Sequence, residues 1–288
     1  MKDPRLREHL KRVSLQDLPA SAENAVVILC YPDDEGVRNN SGRPGAAEGP
    51  AAILKYLEKA CWRSSDSAPQ IFVLQDKLKG ARVLDRHEEA ARWSHVALER
   101  GFRVISLGGG HDYGYPDASN YLKFVRDGRV LNCDAHLDVR ELDESRVTSG
   151  TAFYRLLQEF EGKKLIQWGI QWQCSAQSHL DFCRERGVQI HSWEEACPKI
   201  DGPVGLSICL DAVAVIRGVS APTLVGLSTK AVLDAVREFS ERSQWMGLYE
   251  VAPSLDPATE DSARFAALLA YHFIFRSGSL KTTLGEVS

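Results

Sequence analysis

Asp134, His136 and Asp138 occupy alternate positions in the run Asn132-Cys-Asp-Ala-His-Leu-Asp-Val-Arg140. If an extended strand continues through this run, all three side chains point to one side, because successive strand residues alternate between faces. Carboxylate, imidazole and carboxylate form a donor set suited to Mn, Fe or Zn rather than Cu(I). Crowding three such groups against a sheet end without a cation is costly, which favours metal binding over a solvated, charged turn.

Three further segments place chemistry at the ends of apolar runs. Gly108-Gly-Gly-His-Asp112 follows an apolar stretch. The glycines allow a tight turn that keeps His111 near the sheet edge. The run lacks the Lys and Ser/Thr of a P-loop and the spacing of a dinucleotide fingerprint. In Ser207-Ile-Cys-Leu-Asp211, alternation puts Cys209 and Asp211 on one side. Each has a plain structural reading, as a buried thiol and as a helix-capping or salt-bridged carboxylate, and each can also ligate a divalent cation. Glu250 closes the last apolar run, either as a salt-bridge partner or as a carboxylate at the rim of the site. There it would suit a planar amidine or guanidine, through two parallel hydrogen bonds.

The elements that must position these groups are apolar runs at 25–31, 71–74, 102–107, 129–133, 164–169, 188–191, 204–210 and 245–250. Their continuous apolar character is that of strands buried on both faces of a parallel sheet. Amphipathic stretches at 86–100, 151–161, 178–186, 229–241 and 258–275 alternate with them. Ser228 is placed to cap the fourth helix, and Thr259, Glu260 and Asp261 put an acceptor and negative charge at the start of the fifth. The polar clusters follow the strands, where parallel α/β folds build their sites. No linker or composition break divides the chain. The pattern predicts one α/β domain over 1–288, with helices on both sheet faces and residues 1–24 peripheral.

Composition narrows the function classes. Lys and Arg total 35 against 39 Asp and Glu, a net charge of −4, and aromatic residues make up 8% without a basic stripe among them. Such a chain has no general attraction for nucleic acid. Seven cysteines, an odd number with no CxxC pair, argue against a disulfide or zinc-knuckle scaffold. With neither an apolar leader nor a run long enough to span a bilayer, a cytoplasmic protein without a membrane role is expected.

Taken in order, GGGHD, DAHLD, SICLD and the strand-end Glu250 resemble the signature of the ureohydrolases, a family that includes arginases, agmatinases and formimidoylglutamases. Similarity extends from about Val27 to the C-terminal helix. Within the family the chain looks most like the formimidoylglutamases, on the stretches at 32–37, 40–50, 149–153, 169–171 and 218–222. The resemblance implies an arginase-like three-layer α/β/α sandwich with a central, mainly parallel eight-stranded sheet. It also implies two manganese ions per chain, one on His111, Asp134 and Asp138, the other on Asp134, His136 and Asp211, with Asp134 shared. Family members often form trimers or hexamers, which leaves a homo-oligomer open, although no heptad or exposed apolar repeat identifies an interface.

The implied reaction is hydrolysis of a small-molecule amidine, N-formimidoyl-L-glutamate, to L-glutamate and formamide by a metal-activated hydroxide. Asp138 would move the proton and Glu250 would hold the amidinium. Asn40, Arg43 and Arg140 are candidates for the substrate carboxylates, and Arg43 can equally serve an internal salt bridge. Tyr113, Phe153, Gln171 and Trp172 are candidates to line the pocket. The histidine that arginases carry near 149–153 is absent, which argues against arginine.

One position departs from the family. Its motif SxDxD has a further bridging Asp where this chain has Cys209. A thiolate there would keep the formal charge but change the geometry and favour softer ions, so zinc or a single metal becomes an option. The alternatives are a guanidino hydrolase that releases urea and a weak or non-catalytic relative.

Overall fold

The computed structural model describes residues 3–63, 68–143 and 146–276. The strands, in chain order, are β1 (Leu10–Val13), β2 (Ala25–Cys30), β3 (Gln70–Leu74), β4 (Arg103–Leu107), β5 (Arg129–Cys133), β6 (Leu165–Ile170), β7 (Gln189–Ser192), β8 (Val204–Cys209) and β9 (Trp245–Tyr249). They pair, always in parallel, in the order β1-β3-β2-β4-β9-β8-β5-β6-β7.

All eight apolar runs become strands, with ends shifted by a residue or two. The sheet nevertheless has nine strands rather than eight. The extra one, β1, carries Lys11 and Arg12 and pairs only with β3. An edge strand can afford exposed charges, which also discourage pairing with other chains, so it shows no apolar run. Part of the segment expected at the periphery therefore extends the sheet.

The helices are α1 (Glu35–Asn39), α2 (Gly49–Leu57), α3 (Val83–Glu99), α4 (Gly114–Phe124), α5 (Ala152–Glu159), α6 (Gln177–Arg186), α7 (Thr229–Phe239) and α8 (Asp261–Ile274). Strand alternation divides the core in two. Val26 and Ile28 of β2 face the layer holding Ile53 of α2, Val236 of α7 and Leu269 of α8. Val27 and Leu29 face the layer holding Trp93 of α3, Tyr121 of α4, Leu156 of α5 and Cys183 of α6. Burial on both faces explains why these strands read as continuous apolar runs.

Ser228 caps α7 as expected, its hydroxyl accepting from the Ala231 amide at 3.0 Å. The start of α8 differs. Glu260 holds a left-handed backbone and caps nothing with its side chain, while Asp256 accepts from the Ser262 amide at 3.0 Å. Apolar periodicity does not reveal α4, because Asp117, Ser119 and Asn120 are buried in it. Each is hydrogen-bonded, which offsets the cost of burial.

The strand order positions the chemistry. Leu107, Leu248, Ile208 and Cys133 lie in register across β4, β9, β8 and β5. The residues that follow them therefore leave four adjacent strands at one edge. This edge brings together His111, Glu250, Asp211 and Asp134, which are far apart in the chain.

Candidate metal centre

The triglycine turn after β4 is a close backbone contact. A Cβ on Gly109 would lie 1.7 Å from the Asp33 carbonyl oxygen, so no other residue fits without moving the chain. The Gly110 amide donates to that same carbonyl, and the Gly109 carbonyl accepts from the Glu250 amide at 2.9 Å. The turn thus ties the end of β4 to the residue after β9. It delivers His111 buried, with its ring stacked on Tyr249 and edge-on to Phe153.

Ser207 Oγ lies 2.8 Å from His111 Nε2. The other ring nitrogen, Nδ1, lies 2.8 Å from Asp134 Oδ2 and 3.1 Å from Asp138 Oδ2. Asp134 turns its second oxygen to His136 Nδ1 at 3.4 Å, and Asp211 Oδ2 approaches the same nitrogen at 3.2 Å. Strand alternation does not produce this arrangement, because β5 stops at Cys133 and residues 134–138 form a loop. Its shape is held by the Asp134 carboxylate, which accepts from the His136 amide. The carbonyl of Asp138 accepts from the Phe153 and Tyr154 amides in the first turn of α5. Likewise β8 ends at Cys209, and Asp211 follows in a 3-10 turn. Asp138 and Glu250 both hold left-handed backbone, with φ of 50° and 66°. Such conformations are disfavoured for side chains of this kind and concentrate at functional sites.

The donor set fits a cation pair. Asp211 Oδ1 is buried without a hydrogen-bond partner, and the buried His111 Nδ1 and Asp134 Oδ2 face each other at 2.8 Å outside hydrogen-bond geometry. Ligand atoms of Asp134, His136 and Asp211 all lie within 4.8 Å of one another, as do those of His111, Asp134 and Cys209. Two three-donor sets therefore share Asp134. Burial disfavours a charged imidazole, yet the surrounding carboxylates outweigh it and push His111 and His136 well above the usual histidine range. The same carboxylates would stabilise a metal ion in place of those protons.

Above this cluster is a cavity of about 300 Å³. His111, His136, Asp138, Cys209, Asp211 and Glu250 line it, and Asn40, Arg43 and Arg140 stand on its walls. Glu250 is buried rather than at the rim. Its Oε1 accepts from the His111 amide at 3.1 Å, and its Oε2 from the Ser220 hydroxyl. Burial pushes its carboxyl up to about 8.

Several expected pocket residues do other work. Phe153 is fully buried beneath His111, where it supports that ring instead of touching the cavity. Tyr113 donates to Asp33, Gln171 donates to the Val225 carbonyl, and Trp172 is half exposed away from the cavity. Arg43 makes no salt bridge among the described residues. It donates to the backbone carbonyls of Ser220, Val219 and Arg217 at 3.1, 2.6 and 3.4 Å. Arg140 donates to Asn40 Oδ1 at 2.7 Å, and Asn40 donates to Ser149 Oγ.

Sequence reasoning passed over Ser207 and Ser220 as functional residues, although both lie in stretches that carry the family resemblance. His179 and Cys174 also line the cavity and have no recognisable sequence signal.

Residues 24–275 match the pattern described as the arginase family. A formimidoylglutamase of Staphylococcus aureus is 29% identical over 300 residues, covering 94% of each chain. A Trypanosoma cruzi formiminoglutamase solved with manganese superposes with a TM-score of 0.83 at 27% identity, covering 95% of this chain and 98% of that one. The proclavaminate amidino hydrolase of Streptomyces clavuligerus shares the fold, with a TM-score of 0.78 at 20% identity over 96% and 97% of the two chains. An arginase-like α/β fold, two donor sets sharing one carboxylate, and a family match along nearly the whole length lead to one conclusion. The chain belongs to the arginase family.

Proposed function

We propose that the protein hydrolyses N-formimidoyl-L-glutamate to L-glutamate and formamide. One observation supports this reading above the others. A single cavity holds a buried carboxylate, Glu250, beside the donor cluster and a guanidinium, Arg140, on its wall. That polarity suits a ligand with a cationic amidinium at one end and carboxylates at the other.

His111, Asp134, His136, Asp138 and Asp211 would hold two divalent cations, manganese by analogy with the Trypanosoma relative. When bound, such a pair lowers the pKa of water and so supplies a nucleophile at neutral pH. The chain's own residues do the rest. Glu250 anchors the amidinium and is itself held by the His111 amide and Ser220. Arg43 clasps residues 217–220 and keeps Ser220 in place for that contact. Asp138 faces the cavity and accepts the proton lost by the attacking water. It passes the proton to the glutamate nitrogen as the carbon–nitrogen bond breaks, and the formimidoyl carbon leaves as formamide. Asn40 and Arg140 bind the carboxylates, which favours this substrate over agmatine, a dication without carboxylates.

Incubating the manganese-loaded protein with formimidoylglutamate, agmatine and guanidinobutyrate tests the proposal. Formamide and glutamate release is the expected outcome. Urea release from a guanidino compound, with formimidoylglutamate untouched, would replace this reading with the guanidino-hydrolase one.

A further inference from the structure

Cys209 differs from the chain's structural thiols. Cys133 and Cys183 belong to the two apolar cores, whereas Cys209, equally buried, belongs to neither and lines the cavity. Its sulfur lies within 4.8 Å of ligand atoms of both His111 and Asp134. Donors about 2.0–2.3 Å from a common ion are separated by roughly 3–4 Å, so only a small contraction is needed for these three to share one cation.

The two donor sets are chemically unequal. His111, Asp134 and Cys209 offer nitrogen, oxygen and sulfur. Asp134, His136 and Asp211 offer nitrogen and two carboxylates. A thiolate carries the same single negative charge as a carboxylate, so the protein's charge toward a cation pair is unchanged. Its softness is not, and thiolate favours zinc or cobalt over manganese.

Resting on the metallohydrolase reading above, we propose that Cys209 ligates one of the two cations through Sγ. This makes the His111–Asp134–Cys209 position selective for a thiophilic divalent ion, while the Asp134–His136–Asp211 position accepts manganese. Ligation breaks the S–H bond, releases that proton to solvent and forms one metal–sulfur bond, with no change of oxidation state. The chain would thus hold a mixed pair where an all-oxygen bridge would favour two like ions.

Cobalt(II) alone is the probe. The full-length chain, stripped with chelator and titrated with cobalt, should develop the near-ultraviolet band of thiolate-to-cobalt charge transfer. Cys209→Ser and Cys209→Asp should bind cobalt without the band, and Cys174→Ser, altering the other cavity thiol, should keep it. With zinc and manganese offered together, Cys209→Asp should lower the zinc-over-manganese preference at least about tenfold. Cobalt binding to the unaltered chain without the band would overturn the inference and leave the metal centre standing. A band that survives in Cys209→Ser would also overturn it. Failure of the unaltered chain to bind cobalt, zinc or manganese would overturn this inference and the metallohydrolase reading together.

Discussion

Ser207 and His111, 96 positions apart, meet through Oγ and Nε2 at 2.8 Å, and this contact turns the other ring nitrogen toward Asp134 and Asp138. A metal-ligating histidine is oriented by the partner of its second nitrogen. Ser207→Ala should therefore weaken divalent-metal affinity by about 10–100-fold. Competition with a chromogenic chelator measures it. Unchanged affinity would show that the ring is held by its packing on Tyr249 and Phe153 alone.

Glu250 makes two hydrogen bonds within the chain and faces the cavity. Glu250→Gln keeps the shape and removes the carboxylate that a bound amidinium would stabilise. The variant should bind manganese at the parent stoichiometry yet lose about 2–5 kcal/mol of transition-state binding, the range for breaking a buried charge pair. Steady-state kcat/KM together with elemental analysis reads both quantities. An unaltered kcat/KM would remove Glu250 from amidinium binding.

Arg140 and Asn40 form a hydrogen-bonded pair on the cavity wall. Arg140→Ala should raise KM for formimidoylglutamate by roughly ten- to a hundredfold through loss of a charge-assisted bond, with little change in kcat. An amidine without carboxylates should be turned over equally by parent and variant. Equal losses on both compounds would mean that Arg140 supports the wall without contacting the substrate.

Asp117 lies under the site, accepting from Tyr31 at 2.9 Å and from Tyr249 at 2.7 Å, and Tyr249 stacks on His111. Burial raises its carboxyl to about 6 despite the hydrogen bonds from Tyr249 and Tyr31, neither of them cationic. The folded chain therefore binds this proton more tightly than the unfolded chain does. The stabilisation is complete below about pH 4 and is lost as pH rises through about 6. Asp117→Asn removes this dependence. The melting temperature of the parent relative to the variant should fall across that interval and level off above it. A difference that is flat, or that rises, would mean the buried carboxylate is ionised throughout.

Much of the frame was legible in the sequence because strands buried on both faces must be apolar at every position, and eight such runs stand out. Glycine at 109 and the Asp134-Ala-His-Leu-Asp138 run were also legible, since few arrangements other than a tight turn and a cation site accommodate them. These are local constraints, imposed by each residue's own conformation and charge. β1 and α4 escaped detection because an edge strand tolerates charge and a buried helix tolerates polar groups that find partners.

Tertiary structure decided which groups meet. Only the order β4-β9-β8-β5 brings His111, Glu250, Asp211 and Asp134 to one edge, and strand order depends on long crossovers that leave no local mark. Arg43 and Phe153 show the same limit. Arg43 stands on the cavity wall with its guanidinium donating to three carbonyls of a distant loop, whereas Phe153 lies under an imidazole, and neither residue's type announces its place. Cys209 has the same composition whether it packs in a core or faces a cavity. Its position is settled by where β8 stops and by the side chains that three other segments bring alongside it, which is a property of packing and not of the residue.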